Sequence, residues 1–148
     1  MRVLISGATG LVGKAIVAQL HALGHDVNYV TTRKSKIEHR KEYQGFYWDP
    51  SIGEIDLECF KDVSGIINLA GATISKKWSA AYKKEVLFSR TQSLRTLKEG
   101  LVKAGATKIR SFVSASAIGI YPSSYSTFYT EEVTTVDDSF LGEVVEAW

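Results

Sequence analysis

Ser6-Gly7-Ala8-Thr9-Gly10-Leu11-Val12-Gly13 stands between two opposite periodicities. Before it lies a short aliphatic run, Val3 to Ile5, with the composition of a strand. After it Val12, Ile16, Leu20 and Leu23 recur at helical spacing, and Gly24 closes the helix as a C-terminal cap. A second strand, Val27 to Val30, follows. A strand, a glycine-rich turn and a helix in this order make an anion site. The first glycine permits a tight turn. Gly10 lets the backbone approach a pyrophosphate with no Cβ in the way, and Gly13 lets the helix pack close to the strand. The free N–H groups at the helix start then face the phosphates. Gly7, Thr9, Gly10, Leu11, Val12 and Gly13 are therefore the candidate pyrophosphate residues. Their spacing is Gly-x-x-Gly-x-x-Gly, which departs from the simple dehydrogenase fingerprint Gly-x-Gly-x-x-Gly.

The rest of the chain continues the alternation. Ser35 to Asp62 is irregular, with a short third strand over Gly45 to Trp48 that Asp49-Pro50 ends and a further turn at Gly53. Val63 to Leu69 is apolar without polar alternation, as a buried parallel strand is. A long helix is expected from about Ser79 to Lys103, carried by Tyr82, Val86, Leu94, Leu97 and Leu101 and closed by Gly105. Ser111 to Val113 is the fifth strand. A loop rich in Ser, Thr and Tyr precedes a last amphipathic helix, Phe140 to Trp148, which has no C-terminal cap. Strands alternating with helices predict an α/β protein, a Rossmann-type doubly wound parallel sheet covered on both faces. Right-handed crossovers place all strand C-termini along one edge.

Composition excludes several classes. The 148 residues are 45% hydrophobic and 23% charged with a net charge of +2, the profile of one globular domain rather than a nucleic-acid binder. The single basic cluster, Arg33 to Lys41, contains Glu38 and reads equally as a solvated loop. Cys59 is the only cysteine and is expected to be a half-buried small hydrophobe. The three histidines share no ligand-like spacing with acids or Cys59, so no metal site is expected. No apolar run approaches the ~20 residues that span a bilayer, and the N-terminus opens directly into a strand. These features point to a cytoplasmic protein with no membrane partner.

The end of the second strand bears on cofactor choice. An acid there accepts hydrogen bonds from the adenosine ribose. Here the residues are Thr31-Thr32-Arg33-Lys34. Either Arg33 stacks on adenine and pairs with a 2′-phosphate, with Lys34 adding charge, or both are solvated surface cations. The first reading favours NADP(H) over NAD(H).

The motifs together resemble a known family. The glycine spacing is similar to that of extended short-chain dehydrogenase/reductase proteins. Trp48-Asp49-Pro50, Ile67-Asn68-Leu69-Ala70-Gly71-Ala72, the Trp78 segment, Ser89-Arg90 and Ser114-Ala115-Ser116-Ala117-Ile118-Gly119-Ile120-Tyr121 appear in that order. They look like the atypical NAD-dependent epimerase/dehydratase branch, also called SulA-type epimerase-family proteins. The resemblance implies that Leu69, Ala70 and Gly71 let the backbone pass the cofactor. It places Ser114 and Ala115 beside the nicotinamide and matches Ser116 to the catalytic serine that hydrogen-bonds a reacting carbonyl or hydroxyl. Arg90 holds the helix position at which relatives carry an asparagine near the active site, where it contacts substrate or cofactor ribose or covers the helix. Asn68 either holds its turn or is structural.

Two departures qualify what the resemblance implies. Catalytic members carry a Tyr-x-x-x-Lys pair, the tyrosine as acid/base and the lysine lowering its pKa. The corresponding stretch here is Phe140-Leu141-Gly142-Glu143-Val144. Tyr121, recruited from the loop, is the remaining phenol candidate, and its alternative is packing. Family members are also much longer than this chain, so residues 1–148 are expected to be a truncated N-terminal dinucleotide-binding domain without the later strands and the substrate domain. An exposed sheet edge then predicts self-association. Two functions follow: an enzyme acting on a small hydroxylated or nucleotide-sugar-like substrate, or a non-catalytic dinucleotide-binding module. The isolated piece is expected to be inactive.

Overall fold

In the computed structural model, which describes residues 1–148, the glycine stretch joins strand β1 (Arg2–Ser6) to helix α1 (Leu11–Ala22). The chain then runs through β2 (Asp26–Thr31), β3 (His39–Arg40), β4 (Tyr43–Asp49), β5 (Glu54–Ile55) and β6 (Val63–Asn68). Helix α2 (Ala80–Lys103), strand β7 (Ser111–Ser114) and helix α3 (Phe140–Ala147) complete it. The strand order is β3-β4-β2-β1-β6-β7. Strands β4, β2, β1, β6 and β7 are parallel, as the apolar runs predict. The sheet is nevertheless mixed, because β3 and β5 each pair antiparallel with β4. Two-residue strands carry no periodicity, so the segment 35–62 reads as irregular in sequence.

The order reverses at β1. The chain leaves β1 for β2 on one side, and β6 and β7 then build outward on the other. That switch opens a crevice at the strand C-termini.

Alternating residues of β1 feed two cores. Val3 and Ile5 join Val27, Tyr29 and Tyr43 under α1, where Ile16, Val17 and Leu20 pack. Leu4 joins Val30, Ile66, Trp48, Phe60 and Leu97 under α2. Cys59 lies in that second core, fully buried rather than half-buried. Burial pushes its thiol pKa far up. Asn28, also fully buried on this face, donates its side-chain N–H to the Cys59 carbonyl at 2.8 Å.

Two features depart from a sheet evenly covered on both faces. On the β4 side, the Tyr29 hydroxyl donates to the Lys36 carbonyl at 2.6 Å and accepts from the Glu38 N–H at 2.9 Å. Its ring stacks on Tyr43 at 4.3 Å, and a Cβ on Gly45 would come within 2.6 Å of it, so only glycine fits beneath. On the other side, all four residues of β7 are exposed, Val113 at 58%. No helix is long and apolar enough to cross a membrane.

Candidate functional site

Gly7 turns the chain out of β1 with φ +77°, a left-handed conformation that glycine adopts without strain. A Cβ there would also press on the Leu69 backbone at 3.1 Å. Gly10 caps α1 with extended backbone, and no side chain caps the helix. A Cβ on Gly10 would approach only the Gly7 carbonyl, so space above it is open to a ligand. The first turn-spanning bond of α1 is Lys14 N–H to Gly10 C=O, which leaves the N–H groups of Leu11, Val12 and Gly13 without intrahelical acceptors. No acid stands in that first turn to neutralise the helix dipole. Gly13 serves differently from its expected role. A Cβ there would sit 2.2 Å from the Gly7 carbonyl and 2.7 Å from Ala8 Cα, so the close packing is against the turn itself, not the strand.

The turn forms one wall of a cleft of about 490 Å³ at the C-terminal ends of the strands. Gly7 and Thr9 meet Thr31 at the end of β2 and Thr32 after it, Trp48 and Asp49 at the end of β4, and Ala70 and Gly71 after β6. Phe88 and Gln92 of α2 close the far side. Thus Gly7, Thr9, Thr32, Ala70 and Gly71, chosen from sequence, come together. Leu11 and Val12 lie outside the cleft with exposed side chains and offer it backbone alone. Arg33 and Lys34 do not line it either. Lys34 lies over the Tyr47 ring, with Nζ 4.7 Å from its centroid, and Arg33 is exposed beside Thr32, its N–H donating to Thr31 Oγ1 at 3.2 Å. The charged side chains in the lining are Asp49 and Glu85, both acidic. Asp49 accepts from the Ser51 N–H and hydroxyl at 2.9 and 2.6 Å.

The strip after β6 is fastened from two directions. Ser89 of α2 accepts from the Ala72 N–H at 2.9 Å, and Arg90 donates from Nη1 to the Ala72 and Val86 carbonyls at 3.1 Å each. The Arg90 guanidinium also faces the Trp148 ring at 5.1 Å and makes no ion pair. Half-buried, it has its pKa lowered by desolvation. A Cβ on Gly71 would reach the Arg90 side chain at 3.1 Å. Arg90 is therefore a staple between helix and strip. From the sheet side, the fully buried Ser6 hydroxyl accepts from the N–H groups of Leu69 and Ala70 at 3.1 and 3.2 Å.

Ser114 ends β7 directly opposite Asn68 of β6. Ser116, two residues on, is exposed and makes no side-chain hydrogen bond to the protein. Tyr121 stacks on Tyr129 at 5.7 Å and lines a separate cleft of about 730 Å³ with Ser139 and Leu141. The structure thus does not bring Tyr121 into the cleft beside the glycine turn. Phe140 packs against Trp78 at 5.6 Å, and Val144 is buried, so the inward face of α3 is apolar where a phenol and an ammonium are expected in catalytic members. Sequence reasoning quoted Ser6, Trp48 and Ser89 within motifs without giving them a role in the site, and did not single out Phe88 or Gln92. Ser6 had a visible signal, a polar residue ending an otherwise apolar strand.

Similarity to known proteins agrees with this geometry. An epimerase family protein of Staphylococcus epidermidis is 33% identical over 151 residues, covering 99% of this chain and 48% of that protein. One from Staphylococcus aureus is 33% identical over 145 residues, covering 98% and 47%. The chain spans about half the length of the curated relatives it matches. A human epimerase family protein solved with NADPH superposes with a TM-score of 0.77 at 26% identity, covering 100% of this chain and 47% of that one. A nucleoside-diphosphate sugar epimerase from Corynebacterium glutamicum gives 0.76 at 27% identity, with 100% and 29% covered. Residues 3–139, from the first core residue of β1 to the cap of α3, match the NAD dependent epimerase/dehydratase family, and the chain belongs to that family.

Proposed function

We propose that this chain is the dinucleotide-binding part of an NADP(H)-favouring oxidoreductase or epimerase acting on a small hydroxylated or nucleotide-sugar-like substrate. One observation carries the reading: three unpaired N–H groups at the start of α1, beside an open space above Gly10, adjoin a cleft at the switch point of the sheet. Gly7, Thr9, Gly10, Leu11, Val12 and Gly13 take the pyrophosphate, and Leu69, Ala70 and Gly71 carry the backbone past it. Thr32, Arg33 and Lys34 receive the adenosine ribose and its 2′-phosphate. Ser114 and Ala115 flank the nicotinamide end, Ser116 polarises the substrate oxygen, and Arg90 acts through the strip it fastens. Hydride transfer is the chemistry that the nicotinamide supplies when bound. A relative solved with NADPH and another named as a sugar-nucleotide epimerase support the cofactor and substrate class.

The second reading, a non-catalytic binding module, is favoured by the apolar inward face of α3. Turnover of a sugar-nucleotide panel by the full-length protein supports the enzyme, and cofactor binding without turnover supports the module.

Calorimetric titration with NADPH and NADH tests the cofactor. NADPH is expected to bind more tightly, and Arg33→Ala to weaken NADPH by about 10-fold while sparing NADH. Equal affinities, or an Arg33→Ala protein with unchanged NADPH affinity, overturn the 2′-phosphate assignment.

A further inference from the structure

Ser6, Asn68 and Ser114 lie side by side across three strands, in direct register from β1 to β6 to β7. The Ser6 hydroxyl accepts from the Ala70 N–H and shares the Leu69 N–H with the Ser6 carbonyl, so its own proton turns away from the strip. It goes to Asn68 Oδ1 at 2.6 Å. The backbone thereby fixes which way the Asn68 amide points: oxygen toward Ser6, nitrogen toward Ser114. Asn68 Nδ2 donates to Ser114 Oγ at 3.1 Å. Ser114 is an acceptor in that bond, so its own proton faces away from Asn68. Its nearest protein acceptor is the Ala115 carbonyl at 3.4 Å, at the weak limit for an O–H donor. Ser6 and Asn68 are fully buried, whereas Ser114 is exposed. The chain of bonds starts in the core, and its last donor makes only that one long bond within the protein.

We propose that Ser6 and Asn68 are positioning residues that set the Ser114 hydroxyl as a hydrogen-bond donor to an acceptor oxygen in the nicotinamide half of the bound dinucleotide. The inference rests on the dinucleotide reading above and adds a direction and a polarity to it. With the pyrophosphate at the start of α1 and the adenosine in the cleft toward β2 and β4, the other half of an extended dinucleotide runs over β6 toward β7, where Ser114 stands. The acceptor oxygen is that of the nicotinamide carboxamide or of the ribose beside it.

Titration of the chain with three ligands reads this directly. Ser114→Ala is expected to weaken NADPH by about 5-fold, with Ser114→Thr restoring most of the affinity. Adenosine 2′,5′-bisphosphate, which lacks the nicotinamide half, is expected to bind wild type and Ser114→Ala alike. 2′-Phospho-ADP-ribose separates the two oxygens: weakened binding by Ser114→Ala assigns the ribose, unchanged binding the carboxamide. Asn68→Asp keeps the size but makes the side chain an acceptor toward Ser114, drawing that proton inward. It is expected to weaken NADPH in wild type and to add little in Ser114→Ala, a coupling that a merely structural role does not produce. If Asn68→Asp does not fold, Ser6→Ala takes its place in the cycle. Unchanged NADPH binding by Ser114→Ala, equal losses for NADPH and the bisphosphate, or additive losses in the cycle overturn the inference alone. A wild-type chain that binds neither NADPH nor NADH overturns the dinucleotide reading and this inference with it.

Discussion

The turn between β1 and α1 and the end of β7 meet at the same edge of the sheet, but they are held by different means. In the turn, each glycine answers to backbone. Gly7 is left-handed against Leu69, and Gly13 lies in contact with the Gly7 carbonyl and Ala8. On β7 the four residues are exposed, and side-chain and ladder hydrogen bonds to β6 hold the strand. Close backbone packing leaves no room for an added carbon at Gly7 and Gly13, whereas the second region is exposed and held by hydrogen bonds.

The sharpest test of that contrast is Gly13→Ala. Its methyl would enter the 2.2 Å gap to the Gly7 carbonyl, where no rotamer relieves it. A loss of about 3 kcal/mol is expected in denaturant unfolding, together with loss of dinucleotide binding. Near-wild-type stability would show that the turn can open and that the contrast is false.

A smaller effect appears at alkaline pH, and on the α1 side it comes from Tyr43. Burial, with Tyr29 and Glu38 nearby, pushes the Tyr43 phenol from its ordinary value near 10 up to about 12. Below pH 10 both folded and unfolded chains keep this proton, and its contribution is constant. Between about 10 and 12 the unfolded chain releases it while the folded chain retains it, so stability falls as pH rises, by about 2 kcal/mol across the window. Thermal melts should show this decline, and Tyr43→Phe should make it shallower. An identical decline in the variant would remove Tyr43 as its source.

The smallest effect makes the comparison within the sheet. Val→Thr at Val27, fully buried, adds a hydroxyl to a dry core and is expected to cost about 1 kcal/mol or more. The same change at Val113, 58% exposed, is expected to stay within about 0.5 kcal/mol. Equal costs would mean that β7 is covered in solution by something that the chain binds, a second copy included.

Much of this architecture was legible in the sequence because it depends on local pattern. The turn from Ser6 to Gly13, the apolar run into β6 and the long helix ending at Gly105 each carry their own signal. The paired strands β3 and β5 were not legible, since two residues hold no alternation. The lining of the cleft was half legible. Thr9 and Gly71 follow from motifs, but Phe88 and Gln92 depend on which face α2 turns to the strands. The polarised chain from Ser6 to Ser114 joins residues 62 and 46 positions apart and exists only once β1, β6 and β7 are in register. Exposure of Arg33 was one of two readings the sequence left open, and the capture of Lys34 by Tyr47 was not legible, because it depends on the neighbouring strand.

The phenol of Tyr29 has an evolutionary consequence. By holding Lys36 and Glu38 at fixed distance, it closes the far end of the cationic segment independently of what residues 32–34 are. Those three positions then form a short, replaceable insert between β2 and a fixed post. Under the proposed adenosine assignment, a change of ribose preference at these positions leaves the sheet packing untouched, provided that the tyrosine and the glycine beneath it, Gly45, stay together.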